Sequence, residues 1–278
     1  MALTAQELQL IESLKFPLAA AERIHQETGG VLEEAKSDEW DYRDDDEESG
    51  PIRGVSVLLP NAAVESFVET QQTAMEALGC RAFWSTRRQA NGLQSGDELV
   101  VLPTTDMMEA IRWSHSNGGN YGVSMEDIID RISRWRTLCD VQVVGAAHDW
   151  VALRFHTLPE NICQFAEDVF ELCPDSVHQG VALQYEEDEE ALEAARTLCP
   201  DICITATTAE GQLERMTKGF PPEMVDQLRE KLSQTMNSPR MKAMLEIVGN
   251  HSEPSEEDGV RLLAYEIRRS GYLFLWWD

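Results

Sequence analysis

The chain is short of positive charge. Lysine and arginine together number 23 in 278 residues, against 50 aspartates and glutamates, for a formal net charge of −27. That balance repels phosphate backbones and anionic bilayers, so nucleic acid and membrane surfaces are not expected as partners. Long apolar runs are missing too. No stretch approaches the ~18 residues that cross a bilayer, and the N-terminus has neither the basic start nor the apolar run of a secretory signal. The expectation is a cytoplasmic protein. Catalytic signatures are also absent: no Walker loop, no G-x-G-x-x-G, no G-x-S-x-G and no H-E-x-x-H.

Six cysteines are present, at 80, 139, 163, 173, 199 and 203. Cys199 and Cys203 are spaced C-x3-C, but no second pair follows at zinc-ribbon or finger spacing, so neither a metal nor any other cofactor is expected. Most lie within apolar runs and read as reduced cysteines packed like small hydrophobes.

What is present is ordinary globular material. Apolar residues make up 42% and charged residues 26% of a chain long enough for one large domain or two modest ones. Thr4 caps a first helix carrying Leu8, Ile11 and Leu14, Pro17 ends it, and a second helix stops at Gly29-Gly30. Residues 38–48 hold eight acidic side chains in eleven positions. A calcium loop needs alternating Asp or Asn ligands, a turn glycine and a distal Glu, and this run has no glycine at the required place, so it reads as a disordered or solvated linker. Residues 1–50 are therefore taken as N-terminal helices and linker, and 51–278 as the main domain.

Within the main domain, residues 54–60 read as a strand, 61–78 as a helix with Val64, Phe67 and Val68 inward, and 80–84 and 99–102 as strands. A short helix is expected at 106–115. Ser124, three residues before Asp127, caps a helix in which Met125, Ile128, Ile129, Ile132, Trp135 and Leu138 form one stripe. Strands follow at 141–144 and 150–156, a helix at 161–172 stopped by Cys173-Pro174-Asp175, and a strand at 177–184 loosened by Gly180. After a Met-rich helical stretch, a helix at 258–269 carries Arg268 and Arg269 at its dipole-negative end, and the last strand is expected at 272–277.

Four segments resemble one family. Asn117-Gly-Gly-Asn-Tyr-Gly122 before a capped helix, His148-Asp-Trp-Val151 opening a strand, Leu172-Cys-Pro-Asp175 with His178-Gln-Gly180, and the terminal Leu275-Trp-Trp-Asp278 look like domain-of-unknown-function family 4253. The resemblance covers residues 97–183 and 258–278 well and 54–96 more loosely. It implies a soluble bacterial domain of unassigned activity. In the family the Gln-Gly strand leads almost directly to the last helix, so residues 184–257 read as a helical insertion. The expected fold is α+β: a mostly antiparallel sheet with helices packed on one face, ferredoxin-like elements and that insertion.

The candidate polar cluster is Asn117, Asn120, Tyr121, His148, Asp149, Asp175, His178, Gln179 and Asp278. These types suit acid/base work, because His titrates near neutrality and Asp can orient it. The same residues have structural readings. Asn and Gly at 117–122 fit a turn needing positive φ, His148-Asp149 a hairpin tip, and Asp175 a helix-stop turn. Trp276 and Trp277 point to opposite faces of a strand, so at least one is expected in the core. Two functions stand side by side. One is a non-enzymatic protein-interaction module, immunity-type for instance, whose acidic surface meets a basic protein. The other is a small-molecule-binding domain or hydrolase-like enzyme using the His/Asp/Asn cluster.

Overall fold

The computed structural model of the chain describes residues 2–37, 52–88, 94–202 and 255–277. The acidic run at 38–48, the Met-rich helical stretch of the expected insertion, and Asp278 lie outside the described residues. The chain divides into two compact units. One comprises Met1–Asn117, Ser124–Thr157 and Tyr272–Trp276; the other comprises Gly118–Val123, Leu158–Gly271 and Trp277–Asp278.

The first unit holds a seven-stranded sheet. Its strands are β1 (Glu33–Glu34), β2 (Val55–Leu58), β3 (Arg81–Arg88), β4 (Gln94–Leu102), β5 (Val141–Ala147), β6 (Trp150–Phe155) and β7 (Tyr272–Trp276), in the spatial order β1-β2-β4-β3-β5-β6-β7. Every pairing is antiparallel except β3 with β5, joined in parallel at Trp84 and Gly145. The sheet is thus mixed and mostly antiparallel. Nothing in its strand order singles out a ferredoxin-like arrangement.

Three helices pack on one face of this sheet: α1 (Ala5–Leu14), α2 (Leu18–Thr28) and α3 (Asn61–Ala77). Pleating explains the choice of residues. Val55 and Val57, Leu99 and Val101, and Ala82 share one side of β2, β4 and β3, and they form a core with Ile11, Leu14, Ala20, Ile24, Val64, Phe67 and Met75. From the other side of β3, Phe83 meets the ring edge of Trp113 on α4 (Glu109–Ser114), with centroids 5.7 Å apart.

Local chemistry sets the helix ends. Thr4 and Glu7 form a reciprocal capping box on α1, and the buried Glu7 also accepts the Leu32 amide at 3.0 Å, fastening the chain after α2 to α1. Ser124 and Asp127 cap α5 (Met125–Trp135) in the same way. That helix buries Ile128, Ile132 and Trp135, as the stripe predicts, but it ends at Trp135, and Leu138 beyond it is exposed. A stripe continued past the last helical residue no longer has a face to lie on.

The second unit contains α6 (Ile162–Leu172), a π-helical segment Ser176–Val181 running into α7 (Ala182–Gln184), α8 (Glu189–Leu198) and α9 (Glu256–Ser270). Asn161 accepts the Gln164 amide to cap α6, and Ser255 accepts the Asp258 amide to cap α9. At the other end of α9, Gly271 takes the left-handed conformation at φ 62° after Arg268 and Arg269.

Residues 177–184, expected as a strand, are helical. After Pro174 the amides of Val177 and His178 both turn back to the Pro174 carbonyl, and the Ser176 hydroxyl bonds the Cys173 carbonyl at 2.6 Å. The apolar positions Val177 and Val181 then fall four residues apart, on one helical face, and both are buried. The spacing of two valines is compatible with period 2 or with one helical turn, and the turn chemistry after Pro174 decides it.

The cysteines need a second correction. Cys163, one residue into α6, and Cys199, at the end of α8, form a disulfide with Cα atoms 5.6 Å apart. The expectation was of reduced cysteines packed as small hydrophobes, whereas Cys199 is bridged to a partner 36 residues back. Cys80, Cys139 and Cys173 are buried thiols outside any disulfide, as expected, and burial pushes the Cys80 thiol up to about 11.

Candidate functional site

Of the nine candidate residues, Asn117, His148 and Asp149 belong to the unit with the sheet. His148-Asp149 is the two-residue tip between β5 and β6, where a hairpin tip was expected. The segment leaving α4 is tied along this hairpin. The Ser114 hydroxyl donates to the Ala146 carbonyl (3.1 Å), the Ser116 hydroxyl to the Ala147 carbonyl (2.6 Å), and the Asn117 amide to the His148 carbonyl (2.9 Å). The Asn117 side chain donates to the His115 carbonyl at 3.0 Å and lies 3.5 Å from His148 Nε2. These contacts hold a loop in place.

Asn120, Tyr121, Asp175, His178 and Gln179 belong to the other unit. Gly118 and Val123 form an isolated antiparallel bridge around a short 3-10 turn, Gly119–Tyr121. The turn presents Tyr121, whose hydroxyl donates to Asp175 Oδ1 at 2.6 Å. Asp175 is only 3% exposed, while Tyr121 is 41% exposed. The positive φ expected of the Asn-Gly-rich turn is found at Gly122 (67°). Gly118 serves another need: Trp277 lies flat against it, so there is no room for a side chain. The Trp277 indole N–H donates to the Leu172 carbonyl at 3.2 Å. The buried member of the tryptophan pair is therefore Trp277.

His178, on the π-helical segment, sets its ring edge-on to Phe170 at 5.7 Å and lies 3.9 Å from a Glu256 carboxylate oxygen. Gln179 beside it is exposed. A π-turn carrying an exposed His and Gln next to a buried Asp held by a Tyr is the nearest approach to a polar site in this unit. Among the described residues no cluster of His, Cys, Asp and Glu suits a metal ion.

The same unit holds two ion networks that no motif announced. Arg196 of α8 clasps Asp258 of α9 through two hydrogen bonds, 3.1 and 2.6 Å. Arg261 donates to the same carboxylate (2.9 Å) and to the carbonyls of Cys199 (3.0 Å) and Ile202 (3.1 Å) at the end of α8. The Arg196 hydrogen bonds hold the Asp258 carboxyl below the usual carboxylate range; burial opposes this, and Arg261 adds to the lowering. Tyr185 donates to Glu266 and accepts from Arg269 at 3.1 Å, and burial first, then Glu266, pushes the phenol up to about 12.

Sequence reasoning missed an aromatic layer on the sheet. Trp150 lies 4.5 Å from Trp84 between ring centroids, and Phe274 stacks on Trp150 at 5.3 Å and reaches Trp84 at 6.2 Å. Gly145 makes this possible. A Cβ there would fall 2.9 Å from the Trp150 ring, so the bare backbone of β5 lets the indole lie across it. Register places Trp150, Ala152 and Arg154 opposite Trp276, Phe274 and Tyr272 on this face, while Val151, Leu153, Leu273 and Leu275 alternate onto the other and are buried. Acidic groups border the layer: the Trp84 indole donates to Asp97 (3.1 Å), and Glu69 of α3 pairs with Arg154 (3.5 Å). The signal was in the sequence, as Tyr272, Phe274 and Trp276 alternate; but only the sheet order brings Trp84 to them.

An α+β chain with a mixed, mostly antiparallel sheet and helices packed on one face is the class these observations define. Residues 98–278 match the family described as Domain of unknown function (DUF4253), and the chain belongs to that family. No curated protein and no solved structure matches it. Among the described residues no helix is long and apolar enough to cross a membrane.

Proposed function

We propose that the protein is a non-enzymatic interaction module that binds the surface of a basic protein in the cytoplasm, in the manner of an immunity-type neutraliser. The observation that carries this reading is the run Glu186 to Glu190, five consecutive acidic residues all exposed, in a chain of net charge −27. Exposed like charges kept side by side raise the local concentration of cationic surfaces and speed their encounter, and salt screens the effect. The test is capture of partners from the source lysate at low and at high salt, followed by association kinetics on the captured protein. A basic protein whose association rate falls steeply with salt supports the reading. Recovery of nucleic acid, or of no basic protein at low salt, overturns it.

A second reading follows from the Tyr121–Asp175 hydrogen bond beside His178 and Gln179, a small-molecule site on the π-helical segment. It requires that His178→Ala abolish binding of a ligand without altering the fold.

A further inference from the structure

We infer that the aromatic layer of the sheet is the docking surface of the protein, and that its occupant is an arginine-bearing segment of a basic partner. This rests on the interaction reading above and says where the partner touches.

The layer is built into the fold. Gly145 leaves β5 bare under Trp150, Trp84 and Phe274 close on that indole from two sides, and the Trp84 N–H is fixed by Asp97. Four strands must be in register before these rings meet. The layer is open at one side: Trp150 is buried at 6% exposure and Trp84 is half-buried, but Phe274, on the edge strand β7, is 38% exposed although its neighbours Leu273 and Leu275 are buried. One side of β7 serves the core, and the other keeps a phenyl ring in water.

Charge identifies the occupant. Glu65 and Glu69 lie one helical turn apart on α3 and are exposed, Glu69 reaching Arg154 on β6. The Glu65 charge is close enough, after burial, to help raise the Tyr272 phenol. With Asp97, three carboxylates border the rings. Aromatic faces attract a cation through their negative quadrupole, and carboxylates at the rim give the same cation hydrogen-bond acceptors. A planar guanidinium is more weakly hydrated than an ammonium and stacks on rings, so arginine is preferred to lysine. A guanidinium and a carboxylate already meet beside the layer: Arg154, opposite Tyr272 in the β6–β7 register, pairs with Glu69.

The experiment uses the full chain and an eight-residue peptide alternating Arg and Gly, with a Lys–Gly peptide and maltohexaose as comparisons. Binding is read by calorimetry and by the indole N–H resonances. The expected result is a shift of the Trp84 indole signal and a Kd tighter for the Arg peptide than for the Lys peptide. Kd should weaken at least tenfold in Glu65→Gln/Glu69→Gln and in Phe274→Ser, and stay unchanged in Glu126→Gln/Asp130→Asn, an exposed acidic pair on α5. Phe274→Leu, which keeps the apolar bulk, should still lose several-fold and guards against a misfolded serine variant. Equal weakening by both acidic pairs, with Phe274→Leu silent, overturns the docking surface and leaves the charge-steered reading standing. No peptide binding at low salt overturns both. Maltohexaose moving the same indole signal while the Arg peptide does not overturns the arginine occupant.

Discussion

Trp277 lies face-on against Gly118, where a Cβ would fall 2.6 to 2.8 Å from three atoms of the indole. The pair joins the Asn-Gly-rich turn to the terminal Trp-Trp, two segments 159 positions apart that carry the family resemblance. Gly118→Ala should displace the indole and destabilise the protein by about 1–3 kcal/mol, the usual cost of overpacking. Trp277→Ala alone should cost about 3–5 kcal/mol, as for a large buried aromatic. Denaturant melts of both singles and the double variant test the contact: once Trp277 is gone, Gly118→Ala should cost little.

The hydrogen bond from Tyr121 to Asp175 gives a second prediction. Tyr121→Phe removes the donor and leaves a carboxylate that is 3% exposed with one bond fewer. A loss of about 1–3 kcal/mol is expected from equilibrium unfolding, because a buried charged acceptor is costly to leave short of a donor. An unchanged midpoint would show the bond to be dispensable for stability and would favour the small-molecule reading of this turn.

Acid should loosen the α8–α9 clasp. The folded pKa of Asp258 lies below its unfolded value of about 3.9, since Arg196 and Arg261 favour the carboxylate. A depressed carboxyl contributes stability in full above the unfolded pKa and loses it as pH falls through the folded one. The stability gap between the parent and Asp258→Asn, followed by urea melts, should therefore be constant near neutrality and shrink below about pH 4. A gap that does not narrow in acid would remove the ion network as its cause.

The Cys163–Cys199 bridge predicts a thiol count. The denatured chain should show two more reactive thiols after reduction than before it, and Cys163→Ser should abolish the difference. Equal counts would mean that the two cysteines are dithiols in the isolated protein and would restore the expectation of a fully reduced chain.

Length changes give a fifth prediction. Replacing residues 203–254 by a short Gly/Ser linker should leave a cooperative thermal transition. Extending the cut through α8 should lower the melting temperature sharply, because the Cys163 bridge, the Arg196–Asp258 clasp and the Arg261 bonds to the α8 end all leave with it. Equal stability of the two shortened chains would show α8 to be peripheral.

The parts of this fold legible in the sequence are those fixed by neighbours along the chain. The Thr4 and Ser124 caps, the hairpin tip at His148-Asp149, the stripe of Ile128, Ile132 and Trp135, and the final strand are all written within a few residues of where they act. Residues 177–184 misled because a period-2 reading ignored the turn that Pro174 and Ser176 impose. The Cys163–Cys199 bridge and the Trp84–Trp150–Phe274 layer join positions far apart in sequence, and neither spacing nor propensity reports such meetings. The candidate polar cluster divides in the same way. Its members are each placed by a local turn, and the partner that matters for Asp175 is Tyr121, 54 positions back.

Strand β6 pairs on one flank with β5, made just before it, and on the other with β7, which follows after α6, α7, α8 and α9. During synthesis the outer flank of β6 must therefore wait as an open row of amides and carbonyls while all of those helices emerge. Such a row is what neighbouring nascent chains would pair with. On this topology the protein is most exposed to misassembly on the ribosome, and slowing translation between residues 156 and 271 should lower its soluble yield more than slowing it earlier.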